Sequence, residues 1–284
     1  MTTRSDNNPD MGRLNLSSLP IEILSLIIGC LPNRDIKSLR LTSKLLCDVY
    51  HLRIERVFIS ANPLNLEVFA AIAAHEYYRH QVLEIVWDDA LLEYYEPHWN
   101  DDTERYSDAP PRFIKACHEN TATVKHWDQE CPKRIYSRYV ASEMPVKVCY
   151  DIYMELFRQQ ESILATEQDI EMFRLGLAAF PNLKSITITP VAHGQFLTPR
   201  YPTPMIRSFP LGFNYPIPKG WPRKIFNVDY WWLYHWHEPE DKVPWRSFCI
   251  VTRELADARN NHHITEFSVD VNHAVSSLCL NEIP

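Results

Sequence analysis

Histidines and cysteines are the residues here with the reach to do chemistry, and their spacing limits what that chemistry could be. His235 and His237, two apart with Glu238 beside them, fall on one face of an extended segment, so a metal-dependent hydrolase built on them is geometrically open. No H-E-x-x-H occurs and spacing fixes no third ligand, so these histidines and His262–His263 read as surface or packed residues, with no metal and no other cofactor expected. Cys117 and His118, with Cys131 downstream, suggest a thiol and its base. Neighbouring helical residues point about 100° apart, however, which favours a buried cysteine beside an exposed histidine. The six glycines are too dispersed for a phosphate-cradling loop or a G-x-S-x-G elbow. The chain is therefore read as not an enzyme.

Two further stretches could bind rather than react. The acidic, aromatic run at residues 88–108 could take a basic ligand, although such runs are usually solvated loops. Trp221, Trp231, Trp232 and Trp236 are the candidate target-binding residues of a tryptophan-rich tract, with filling between an insertion and a sheet as the plainer role.

The bulk composition bounds the rest. Hydrophobic residues make up 45% and charged residues 23% of 284, which suits a globular chain with a substantial core. The formal charge is −7, which argues against nucleic acid and against an anionic membrane as partners. No apolar run approaches the roughly 20 residues of a membrane span. Seven scattered cysteines without C-x-x-C spacing, after a polar start with no signal peptide, point to reduced thiols in the cytosol or nucleus.

The elements that organise the chain begin at residues 19–57. Eight of the eleven residues from Ile21 to Leu31 are apolar, more than the single stripe of a surface helix, so a second face must bury against this chain or a partner. Leu19 falls at the cap and Pro20 at the first helical position, with Glu22 meeting the positive end of the helix dipole. Pro32 ends this helix and Asn33 can cap the next, which carries Ile36 and Leu39. Thr42 or Ser43 starts a third helix, with Leu45, Leu46, Val49, Tyr50 and Ile54 at helical spacing. Three helices in about forty residues make a core small enough to need a neighbour.

Leu19-Pro20-Ile21-Glu22-Ile23-Leu24, followed by Leu31, Asp35, Leu39-Arg40, Ser43 and Cys47, resembles the F-box motif. The resemblance implies a module at residues 14–60 that binds the Skp adaptor of an SCF ubiquitin ligase through Leu19, Pro20, Ile23, Leu24, Leu31 and Leu39, with the cullin and RING subunit further along. Residues 1–13 are polar and aperiodic and read as a disordered lead-in.

From residue 56 on, strand patterns at residues 56–60, 82–87, 183–188 and 264–269 alternate with helical patterns, and the three later strands alternate apolar and polar residues as half-buried strands do. The 26-residue interval from Val57 to Leu83 fits a leucine-rich repeat of about 20–29 residues. Insertions at about 88–166 and 181–245 break the spacing. The second holds eleven of the 21 prolines and reads as an irregular, aromatic-packed excursion on the surface. These stretches resemble filamentous-fungal F-box proteins with irregular leucine-rich-type repeats, whose relatives continue further, so a truncated receptor is expected. The fold class is α+β: an F-box, then an irregular α/β repeat region over 61–284. The implied function is a non-catalytic substrate-recognition adaptor. A Skp-binding protein without a ligase role and a plain repeat scaffold remain open beside it.

Overall fold

The computed structural model describes residues 16, 19–96, 99–100, 105–106, 109–130, 134–218, 245–257 and 263–271, and it combines helices with a parallel sheet. It divides into two compact units, Met1–Arg53 and Ile54–Pro284. The division precedes the boundary at 60 expected from the sequence. Residues 56–59 form a strand laddered to the sheet, so they belong to the second unit, and Ile54 with them.

The first unit holds α1 (Ile21–Gly29), α2 (Asn33–Thr42) and α3 (Lys44–Val49). The starts of α1 and α2 differ by one residue from expectation, whereas α3 starts after Ser43 as expected. Pro20 is the N-cap of α1 rather than its first helical residue, and its carbonyl accepts from the Leu24 N–H at 3.0 Å. Pro32 caps α2, and Asn33 makes no cap because its side chain is committed elsewhere: its Oδ1 accepts from the Arg53 N–H and its Nδ2 donates to the Arg53 carbonyl. Ser43 caps α3 without a side-chain bond.

In the second unit, β1 (Arg56–Ile59), β2 (Glu84–Asp88), β5 (Ser185–Thr189) and β6 (Glu266–Val269) form one all-parallel sheet whose spatial order follows chain order. The register stacks Val57, Ile85, Ile186 and Phe267 in one rung and Ile59, Trp87, Ile188 and Val269 in another. Between β1 and β2 runs α4 (Pro63–Ala74), started by Asn62, whose side chain accepts from the Leu64 and Asn65 N–H groups. α7 (Val146–Thr166) and α8 (Gln168–Ala179) precede β5, and α10 (Arg246–Ala256) precedes β6. Leu66 and Phe69 of α4, Ile170 and Phe173 of α8, and Ile250 and Val251 of α10 close over the Val57, Ile59, Ile85, Trp87, Ile186 and Ile188 side chains as the main core.

The first insertion adds the two-residue strands β3 (Trp99–Asn100) and β4 (Arg105–Tyr106), paired antiparallel, and α5 (Pro111–Glu130) and α6 (Arg134–Val140). Residues 190–218, which include α9 (Pro204–Ser208), overturn the expectation of a surface excursion: Ala192, His193, Phe196, Thr203, Met205, Phe213, Asn214 and Tyr215 are buried. Phe196, Phe213 and Tyr215 join Phe113, Cys117, Tyr139, Tyr150 and Tyr153 in a second, aromatic core. Proline forbids regular ladders here without forbidding burial, because side chains supply the missing partners. Asn214 is the pivot. Its Nδ2 donates to the Cys117 carbonyl and to Thr121 Oγ1, its Oδ1 accepts from Asn120, and its own N–H meets Cys149 Sγ.

β2 and β5 are also more buried than expected. Val86, Thr187 and Thr189 on the second face are enclosed, and Thr187 tolerates this because its hydroxyl donates to Glu84 Oε1 at 2.7 Å. Strands of parallel sheets are commonly covered on both faces.

Candidate functional site

The three-helix unit contains the residues expected to dock a partner, and its packing sorts them. Leu24 and Ile28, four apart on α1, meet Ile36 of α2 and Leu46 of α3 in a core of four buried side chains. Leu16, Leu31, Leu39, Tyr50 and Leu52 pack around it, each half-buried. Leu24 is therefore taken up by the unit's own core, Leu31 and Leu39 serve that core with one side, Leu19 is half-buried, and Pro20 and Ile23 are exposed.

At 100° per residue, Leu26 lies opposite Leu24 and Ile28 on α1, and Ile23 and Ile27 flank that buried row on one side. All three are open, Leu26 to 69%. Leu41, at the end of α2, is 82% exposed, and Leu45 and Val49, four apart on α3, are exposed as well. Leu26, Ile27, Leu41, Leu45 and Val49 are exposed apolar residues that the expected docking positions do not include. Their apolar character is plain in the sequence, but which side of a short helix faces its neighbours is settled only by packing.

The unit is closed by Arg53. Its guanidinium donates to the Gly29 carbonyl at 2.7 Å and to the Leu31 carbonyl, satisfying acceptors at the end of α1. Ser25 Oγ and the Tyr50 hydroxyl, 3.3 Å apart, tie α1 to the end of α3. This geometry presents an apolar surface on a fixed scaffold.

The other candidates fall elsewhere. Trp221, Trp231, Trp232, Trp236, His235, His237, His262 and Cys131 lie outside the described residues. Cys117 is buried and His118 exposed, and burial pushes the Cys117 thiol up to about 12, away from the thiolate a nucleophile needs. The described cysteines are free thiols. Among the described residues no three His, Cys, Asp or Glu side chains gather to hold a metal ion, and no helix is long and apolar enough to cross a membrane.

A polar cluster that the sequence did not signal is buried at the end of β2 and in the segment after β5. Asp88 is 2% exposed; its Oδ1 accepts from the Ala90 N–H and its Oδ2 has no partner. Burial, aided by Asp89, raises its carboxyl to about 8. His193 Nδ1 is 2.9 Å from the Tyr215 hydroxyl while Nε2 is unpartnered, and burial lowers the imidazole to about 4. Burial raises Tyr215 above its ordinary range, with the Asp88 charge adding to the shift. These groups are sealed from solvent, which suits a structural role.

No known family matches the chain, and neither a curated protein nor a solved structure is significantly similar to it.

Proposed function

We propose that the chain is an adaptor whose N-terminal three-helix unit, arranged as an F-box, binds a Skp-type protein, and whose sheet unit, arranged as an irregular leucine-rich-type repeat, presents a target to a cullin–RING ubiquitin ligase in the cytosol or nucleus. One observation carries this reading: a four-residue core lies beneath at least six open aliphatic side chains, Ile23, Leu26, Ile27, Leu41, Leu45 and Val49. A unit so small gains little from its own burial, and a surface so apolar gains much from a partner. The sequential, all-parallel strand order of the sheet unit supports the repeat reading. The mechanism is proximity, with the tethered target raised to high effective concentration beside the charged conjugating enzyme.

Co-expression with a Skp adaptor, followed by sizing, tests this. A one-to-one complex that weakens on the order of tenfold or more in Leu19→Ala/Pro20→Ala is expected. A stable chain that ignores the adaptor would overturn it, and a complex that supports no ubiquitylation of a captured target would leave Skp binding without a ligase role.

A further inference from the structure

Charge is unevenly divided along this chain. Residues 1–53 carry seven Lys and Arg against five Asp and Glu, whereas residues 54–284 carry 22 against 31, so a unit of net +2 is joined to one of net −9. The surplus has a location. Arg34 and Lys37 share one exposed face of α2 with Leu41, at spacings of three and four, and Lys44 begins α3 beside the exposed Leu45. None of Arg34, Lys37 and Lys44 makes an ion pair among the described residues; the Ser38 hydroxyl donates to the Arg34 carbonyl and leaves the guanidinium free. Elsewhere such cations are used: Arg56 pairs with Glu84, Arg174 with Glu254, Arg200 with Asp270 and Arg246 with Asp169. The unspent cations thus flank open leucines.

We infer that the α2–α3 face of the three-helix unit docks a protein surface whose apolar contact is bordered by carboxylates, with Arg34, Lys37 and Lys44 setting approach and register around Leu41 and Leu45. This rests on the proposed docking of a Skp-type adaptor and adds the chemistry of that partner's surface. Asp35 and Asp48 interrupt the row on the same two helices, and three cations are few for an anionic lipid surface; a mixed pattern of this kind matches a structured protein face. Rim charges of this sort act mainly on association rate and salt dependence, whereas buried apolar anchors act on dissociation.

The experiment is binding kinetics of the full chain with a purified Skp adaptor from about 0.05 M to about 0.5 M salt, a range over which the screening length falls several-fold. Three proteins are compared: wild type, Arg34→Gln/Lys37→Gln/Lys44→Gln, and Leu26→Asp. The expected result is a wild-type association rate that falls with salt, and a neutralised variant that associates on the order of tenfold more slowly at low salt with a flattened salt response. Its circular dichroism should match wild type, since all three side chains are exposed. A neutralised variant with wild-type rates at every salt overturns the inference while leaving adaptor docking intact. Loss of binding in wild type, or full binding in Leu26→Asp, removes the docking itself. Cation-dependent sedimentation with phosphatidylserine-containing phosphatidylcholine vesicles, or cation-dependent self-association at low salt, would overturn the inference in favour of a lipid or a second copy.

Discussion

Asp88 and His193 show how far burial can move a side chain from its ordinary state. Asp88, raised to about 8 from 3.8, keeps its proton in the folded chain at pH values where the unfolded chain has lost it, so it destabilises the fold progressively as pH rises from about 4 to about 8. His193, lowered to about 4 from 6.5, works in the opposite direction: its contribution is full above about 6.5 and is lost as pH falls toward about 4. Each slope approaches 1.4 kcal/mol per pH unit, so the two oppose one another between about 4 and 6.5, and Asp88 alone acts from there to about 8. Thermal melts across this range should find Asp88→Asn progressively more stable than the parent as pH rises toward 8. In His193→Gln the parent's loss of stability toward acid should shrink. Neither residue could be singled out from sequence. Asp88 belongs to a run that reads as a solvated acidic loop, and nothing in that run signals that it is buried close enough to the distant Tyr215 to affect its titration.

Periodicity carried the elements well where a helix or strand packs one clear face. Asn62-Pro63 marks the start of α4, the Phe113 and Val148 stretches become α5 and α7, and the four strand patterns become the four strands of the parallel sheet. It failed at residues 190–218, where proline density signals irregular backbone and says nothing about burial. There the order comes from side chains such as Asn214, whose partners are 93 to 97 residues away on α5. Asn214→Ala should cost about 2–4 kcal/mol, since buried partners on α5 are left without bonds. Chemical denaturation measures this directly, and a loss below about 0.5 kcal/mol would show that the network is dispensable. Gly212 makes the same segment sensitive for a different reason. Its φ of 88° lies in the left-handed region, and a Cβ would run into the Ser142 carbonyl. Gly212→Ala should destabilise by more than about 1 kcal/mol in the same assay.

At the scale of the whole molecule, the chain consists of a large unit with two cores and a small unit with one. The small unit's existence was legible in its Leu-Pro opening and three short apolar rows. Its boundary was not, because apolar residues recur from Tyr50 through Leu52, Ile54 and Val57 to Ile59 without a proline or glycine break, and strand pairing begins only at Arg56. With four buried residues holding three helices, Leu46→Ala removes a quarter of that core, a loss of about 2–5 kcal/mol that a unit of this size can hardly sustain. Hydrogen exchange should then lose protection across residues 21–49 and keep it in β2 and β5. Uniform loss across both units would mean that they unfold together.

The most direct test of the docking account is the affinity of the full chain for a Skp adaptor in two variants that place the same charge on two exposed leucines, Leu26→Asp on α1 and Leu175→Asp on α8. Leu26→Asp should weaken binding on the order of 100-fold, while Leu175→Asp binds as wild type does. Equal affinities for all three proteins would contradict the docking surface described here.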